Sequence, residues 1–476
     1  MSMPDPAAAR ALAPTPAIGY ALHSTAPEAI QAVEAYTNSE SGRIFPGRQQ
    51  MATLAIEGGS RIVPEGMVQS WPPLNQADRD AVLAVFDSGH LHGTSAPKAL
   101  ELQEKWAQYV GTKYALVTNS GTASLHMGVA AAGIGPGDEV ITSAFTYWST
   151  AAAILHHNAI PVFVDIDPKT YTMDPALIEE RVNEHTKAIL PVHIHGMVAD
   201  MDPIKAIAKK HNLLIIEDAC QAHGATYKGV KTGALGDIGC FSCNRSKNLS
   251  GGEGGLWTTD NEEYLAKAAK LREFGEVVPA AGAGAREYNA YGLGWMYRPH
   301  EFINAFILSQ LERLDYNNSQ RREFAAYLTR ELADIPGFEG PYTPEYANPC
   351  YFSYVVSFKP EQLGLDLTPE QWKKAVQKVL AAEGIGLGQW QTRPVPSQDV
   401  FSDRVGYGKG CPWTCPFGRG DVDYSKESYP LTEQFIASHA YLGGVYPPNT
   451  MELMKLYIDG FRKVSENAEM VVELAG

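Results

Sequence analysis

The 476-residue sequence predicts an α/β architecture in which a large domain built on a mainly parallel sheet is followed by a smaller α+β domain at the C-terminal end. Three observations carry this expectation. Short apolar runs at 115–117, 139–142, 162–165, 188–194 and 213–217 alternate with segments long enough for crossover helices, the grammar of a sheet covered on both faces. Past about residue 330 the alternation stops: glycine and proline interrupt helical periodicity at 337–349, and an aromatic and β-branched run at 351–358 leads into an amphipathic helix at 369–383. The chain is also too long for one small core.

In chain order, residues 1–50 are rich in alanine and proline with one short helix signal at 27–36, and read as an N-terminal extension, either a flexible arm or a strap. The large domain is expected over 51–330. Its helical patterns fall at 122–132, 175–181, 203–210 and 262–274, with further short strands at 237–243 and 255–259. The smaller domain, 331–476, closes with a helical tail around 451–464. A formal charge of −15, from 54 acidic against 39 basic residues, argues against nucleic acid or an anionic membrane as partner. No apolar run approaches the roughly 20 residues of a membrane span. Six cysteines and an N-terminus unlike a secretory signal point to the cytoplasm. Cys240 and Cys243 have the spacing of a metal knuckle, with Cys411 and Cys415 as a second half. The first pair reads as buried strand, however, and no histidine follows at zinc-finger spacing, so no metal is expected.

Four features carry chemistry. Lys247 follows a strand and precedes Gly251-Gly252-Glu253-Gly254-Gly255, small residues that let a ligand approach the backbone; alone, it also fits a solvated surface charge. Asp218 ends the apolar run 213–217, where ligands bind in a parallel sheet, and it also fits a helix N-cap. Asn119-Ser120-Gly121-Thr122 forms a strand-to-helix turn whose free N–H groups favour a phosphate, with Ser242 a second hydroxyl. Tyr147 and Trp148 offer a stacking ring, and spacing does not choose between them. An amine, an anion for a pyridine nitrogen, a phosphate cradle and a ring are what pyridoxal 5'-phosphate (PLP) chemistry needs. Gln221 is placed to reach the cofactor's phenolic oxygen, and His223 fits a packed core histidine equally well.

From about Met51 to the C-terminus the chain resembles the fold-type I PLP-dependent aminotransferases of keto-sugars and keto-cyclitols, the DegT-like family. The most specific resemblance is Glu217-Asp218-Ala219-Cys220-Gln221-Ala222-His223-Gly224, followed by the segment from Ser242 to Gly255. It implies a PLP transferase fold of type I, with Lys247 as the Schiff-base lysine and Asp218 as the partner of the pyridine nitrogen. It also implies Gln221 beside the phenolic oxygen, Gly121, Thr122 and Ser242 on the phosphate, and Tyr147 rather than Trp148 as the stacking ring. His195 and Arg298 are the expected substrate contacts, although His195 fits a loop-ordering role as well. Sugar dehydratases of similar sequence carry histidine at the lysine position, so Lys247 disfavours that branch.

Two segments depart from the family. Where relatives carry Gly-x-Asn-x-Arg-Met, with an asparagine that reaches the partner subunit's phosphate, this chain reads Gly294-Trp295-Met296-Tyr297-Arg298-Pro299. Where many have a Leu-His-x-Gln-Pro-like segment, it has Val395-Pro396-Ser397-Gln398-Asp399, followed by the unusual Gly410-Cys411-Pro412-Trp413-Thr414-Cys415-Pro416. The implied activity is transfer of an amino group from glutamate or glutamine to a keto-sugar or keto-cyclitol, with pyridoxamine 5'-phosphate as the intermediate cofactor form, in a homodimer with shared active sites. The alternatives are a PLP-dependent elimination or carbon-skeleton enzyme, or a non-catalytic regulatory homologue.

Overall fold

Apolar residues at successive positions give the central strands two hydrophobic faces, and both faces are covered. The computed structural model describes residues 53–279 and 284–473, so the helix signal at 27–36 lies outside the described residues. The main strands are β1 (Tyr114–Thr118), β2 (Glu139–Ser143), β3 (Ile160–Val164), β4 (Thr186–Leu190) and β5 (Leu214–Asp218). After the short pair β6 (Thr226–Tyr227) and β7 (Val230–Lys231) come β8 (Ile238–Ser242) and β9 (Gly255–Thr259). Seven of them form one sheet in the order β1-β9-β8-β5-β4-β2-β3. Only β9 runs against its neighbours, antiparallel to β1 and β8, so the expected mainly parallel sheet is observed.

Consecutive residues of one strand enter different cores, as a period of two requires. Ala188, Leu190 and Ile216 pack with Leu125, Ile154 and Trp257. Ile189 and Ile215 pack on the other side with Met173, Met201 and Ile204. The strand expected to reach residue 194 stops at Leu190, because Pro191 has no N–H for the ladder. A single bridge between Val192 and Asp218 continues the pairing beyond it. The helix expected at 175–181 is instead two short turns of 3₁₀ helix, Pro175–Leu177 and Glu179–Arg181, since so short a segment scarcely nucleates an α-helix.

The second sheet is antiparallel, in the order β10-β12-β14-β13, from β10 (Phe338–Glu339), β12 (Tyr354–Phe358), β13 (Leu387–Gly388) and β14 (His439–Leu442); β11 (Ala347–Asn348) pairs with β6 instead. Helix Pro369–Ala382 opens with a capping box between Thr368 and Gln371 and buries Trp372, Val376, Val379 and Leu380 on this sheet. Helix Met451–Glu466 adds Tyr457, Ile458 and Phe461 to the same core. Leu54 and Val63 join it from the other end of the sequence, and so do Phe324, Leu328 and Leu332 of helix Leu314–Leu332. Among the described residues no helix is long and apolar enough to cross a membrane.

Candidate active site

The C-terminal ends of β1, β2, β5 and β8 open onto a cavity of about 740 Å³ whose other wall comes from the second sheet and the loops before it. Ser120, Gly121, Thr122, Thr146, Tyr147, Asp218, Gln221, Ser242 and Lys247 face it from the large sheet. Phe352, Trp390, Gln391, Tyr441 and Tyr446 face it from the opposite side. This is where loops and free helix starts gather in a parallel sheet, so the site follows from topology.

Asp218 is buried at the end of β5. Its Oδ2 accepts a hydrogen bond from Thr150 Oγ1 at 2.7 Å, and its Oδ1 accepts one from the Cys220 N–H at 3.1 Å. Thr150 in turn lies 2.8 Å from the hydroxyl of Thr146. Behind Asp218, the Glu217 carboxylate accepts from the N–H groups of Gly233, Leu235 and Gly236, each at 2.7 Å, and pairs with His193 Nε2 at 3.0 Å. His193 Nδ1 accepts from the Ala199 N–H at 3.2 Å, so the ring carries its proton on Nε2 and serves as a neutral strut.

The helix Gly121–Ala131 is capped by Ser120, whose side chain accepts from the Ala123 N–H at 3.1 Å, and its start meets Ser242. A Cβ on Gly121 would lie 2.5 Å from Ser242 Cβ, so only glycine brings the helix start and this hydroxyl together. Lys247 Nζ stands 4.4 Å from the centre of the Phe352 ring. Burial pushes its ammonium below the ordinary lysine range, partly offset by Cys220 and Asp218. Asn248, the next residue, donates to Asn318 Oδ1 and to the Cys350 carbonyl, both at 2.9 Å, which ties the lysine turn to the segment before β12. The donor set and space fit PLP: an amine, a fixed carboxylate, and a helix start beside a hydroxyl.

Tyr147 lines the cavity and is 56% exposed, whereas Trp148 is the cap of helix Ser149–Leu155 and does not line it. His195 and Arg298 are not brought to this cavity. The His195 ring is buried among Phe145, Trp390 and Phe435 beside a separate small cavity, and burial, with Lys247 adding to it, pushes its pKa down to about 3. Its backbone, in the left-handed region at φ 56°, is what reaches the site: its N–H donates to Gln221 Oε1 at 2.8 Å. Arg298 pairs with Glu273 at 2.9 Å and lies over Phe274. His223 packs between Trp106 and Phe241.

A family model matches residues 72–417, that of the DegT/DnrJ/EryC1/StrS aminotransferase family. The chain belongs to this family. It is therefore a PLP-dependent aminotransferase with the type I fold. It is 35% identical over 355 residues, covering 73% of this chain and 82% of the relative, to a putative L-glutamine:3-amino-2,3-dideoxy-scyllo-inosose aminotransferase of Streptomyces kanamyceticus. It is 39% identical to the GDP-perosamine synthase of Caulobacter vibrioides, over 56% of this chain and 69% of that one. Among solved structures, DesV of S. venezuelae matches with a TM-score of 0.70 at 28% identity, covering 82% of this chain and 94% of the other. The aminotransferase of Psychrobacter cryohalolentis matches with a TM-score of 0.74 at 25% identity, covering 84% and 99%.

Within this aminotransferase the departures from the family pattern acquire places. Met296 is exposed and offers its carbonyl to Asn119 Nδ2 at 3.3 Å, beside the start of the Gly121 helix. Val395 docks its N–H on the Ala144 carbonyl at 2.9 Å, and Trp413 packs with Phe163, Phe401 and Tyr424 in a satellite core over β3. Of the 385–425 region, only Trp390 and Gln391 line the cavity. Sequence reasoning missed Thr150, Trp71 and Arg321. The first lies three residues after Tyr147, a readable interval; Arg321 lines the cavity, and Trp71 packs behind it, donating to the Lys247 carbonyl.

Proposed function

We propose that the chain transfers an amino group from glutamine or glutamate to a keto-sugar or keto-cyclitol. The observation that carries this reading is the meeting of Lys247, Asp218 and the Gly121 helix start in one cavity whose far wall is polar and aromatic. Such a wall suits a hydroxylated acceptor better than an apolar slot does. The names of the relatives, one a glutamine-dependent inosose aminotransferase, support the same substrate class.

Bound in this cavity, PLP supplies an electron sink for the charge left when the donor Cα loses its proton. Lys247 Nζ, its basicity lowered by burial, takes that proton and later delivers one to the carbon that bears the new amine. Asp218, fixed by Thr150, holds the proton on the pyridine nitrogen. Gly121 and Thr122 offer backbone N–H groups, and Ser242 a hydroxyl, to the phosphate. Gln221, its Oε1 engaged by the His195 N–H, would offer Nε2 to the phenolic oxygen, and Tyr147 would cover the ring.

The exposed apolar residues Tyr147, Phe274, Tyr291, Leu293, Trp295 and Met296 support a homodimer, in which Arg298 serves the neighbouring cleft. We place the enzyme in the cytoplasm, which six unpaired cysteines support. The test is to load the protein with pyridoxamine phosphate and offer keto-cyclitols, nucleotide keto-sugars and simple aldehydes. Return of PLP absorbance with a matching amine mass is expected for one of the first two groups. Return with small non-sugar carbonyls alone would reject the acceptor class.

A further inference from the structure

Among the described residues, one cation in the cavity has no anion to answer it. Arg321, on helix Leu314–Leu332, is 2% exposed and lines the cavity. Its guanidinium lies 4.5 Å from the Trp71 ring and 5.2 Å from the Tyr446 ring. Nη1 donates to the Tyr351 carbonyl at 3.1 Å and reaches that of Phe352 at 3.5 Å, while Nε is buried without a partner among the described residues. Burial pushes its pKa down to about 10, and the ionisable groups that pull it back are Cys350 and Tyr446 rather than a carboxylate. Buried Arg272, by contrast, has Glu273 beside it and donates to Gln103 Oε1 and the Val117 carbonyl. A charge taken out of water without a counter-charge is unfavourable, and a site that keeps one is suited to an anionic ligand.

The anion is identified by where Arg321 stands relative to Lys247. Trp71 covers the guanidinium and donates its Nε1–H to the Lys247 carbonyl at 3.0 Å. Phe352 accepts from the guanidinium through its carbonyl and carries Lys247 Nζ over its ring. Arg321 and Lys247 thus line one cavity and share two neighbours: Trp71 meets the guanidinium and the Lys247 main-chain carbonyl, and Phe352 offers its carbonyl to the guanidinium and its ring to Lys247 Nζ. An α-amino acid has its amine and its carboxylate on one carbon, so a donor whose amine is delivered to the Lys247 position brings an anion to this neighbourhood. We propose that Arg321 binds the α-carboxylate of the amino donor and so selects α-amino acids over simple amines. The proposal rests on the aminotransfer reading and deepens it. A neutral polyhydroxylated acceptor meets the same guanidinium only through hydroxyl groups, so the residue weighs on the donor half of the reaction.

The test follows the loss of PLP absorbance in single turnovers, with glutamine and with the primary amine glutamine becomes on losing its carboxylate. The wild type should use the amine at least about 100-fold less efficiently, the value of a charge-assisted, bidentate contact. Arg321→Met should raise the glutamine concentration for half-maximal rate by about 10- to 100-fold. It should also weaken calorimetric binding of the carboxylate analogue lacking the amine, and slow the donor half-reaction by a larger factor than the acceptor half-reaction at retained PLP content. Arg321→Lys should recover part of the loss, and with the wild-type comparison it decides the matter should the methionine variant fail to fold. Equal use of both donors by the wild type, or unchanged glutamine dependence in the variant, would overturn the proposal. So would loss of PLP in place of donor binding, which would assign Arg321 to the cofactor. A wild type that reacts with no α-amino acid removes the aminotransfer reading itself, an outcome distinct from the others.

Discussion

At the scale of single residues, the site depends on groups held by neighbours that do no chemistry. Thr150 donates to Asp218 Oδ2, and Thr150→Val leaves that buried oxygen without its partner. The donor half-reaction should slow by about tenfold, the effect of one hydrogen bond to a charged group. Asp218→Asn, which removes the charge itself, should slow it by about 100- to 1,000-fold with the fold intact. Stopped-flow absorbance of the two variants checks the order, and a larger loss at Thr150 than at Asp218 would contradict it. Gly121→Ala places a methyl group 2.5 Å from Ser242 Cβ. The helix start must then move away from Ser242, and equilibrium dialysis should show weaker PLP binding at unchanged far-ultraviolet circular dichroism.

At the scale of elements, a helix next to the site and the turn that follows another carry histidines that burial keeps neutral, one buried and one half-buried. His126, on helix Gly121–Ala131, is pushed down to about 3 by burial, with His157 and His156 adding to the effect. His157, which follows helix Ser149–Leu155, is pushed down to about 4 by burial and His156. Between these values and the ordinary histidine range the unfolded chain binds more protons than the native one, so stability rises with pH there. The histidines' contribution is complete above about pH 6.5 and falls away as pH drops toward 4 and 3. His157→Leu should flatten that decline in thermal unfolding measured across the window, and because His157 Nε2 has no partner among the described residues the change forfeits no hydrogen bond there. Another element-scale device is the segment before Trp71. The Glu383 carboxylate, fully buried, accepts from the N–H groups of Ala55 and Ile62 and pairs with Lys463 at 2.8 Å. Glu383→Ala strands the buried lysine and should lower stability by about 3–5 kcal/mol, read from denaturant unfolding.

At the scale of the whole molecule, the division into a large domain to about residue 330 and a smaller one beyond it remains our reading. Helix Leu314–Leu332 contributes Phe324 and Leu328 to the second core, and Leu54 and Val63 return to that core from the start of the chain. This interleaving makes opening of one domain alone costly. The exposed apolar rim gives the second molecular prediction. Leu293 is 88% exposed and lies beside Tyr291, Trp295 and Met296. Leu293→Glu should leave the monomer fold intact but shift sedimentation from dimer toward monomer and lower activity in proportion. A fully active monomer would remove the shared-site reading.

The strands, their alternating faces and their mainly parallel sheet were legible because burial on both sides writes near-continuous apolar runs into the chain, as in Leu214–Asp218. Asp218, Gly121, Ser242 and Lys247 were legible for a related reason: each lies at a strand end or within a few residues after one, and in a parallel sheet those ends share one edge. His195 and Arg298 were misplaced as direct contacts in this chain's cavity. His195 contributes its backbone N–H, an atom common to nearly every residue, and Arg298 is taken up by Glu273. Trp71 and Arg321 carry no local signature, since what matters about them is a neighbour 176 or 30 positions away in the sequence, and although Thr150 stands three residues after Tyr147, its bond to Asp218 spans 68 positions. The sequence by itself determined which segments form strands and which strand ends carry reactive groups, because period and turn chemistry are local. Only the tertiary structure decided which distant side chains close the cavity, because a hydrogen bond or a buried charge depends on what packs across from it and leaves no periodic trace along the chain.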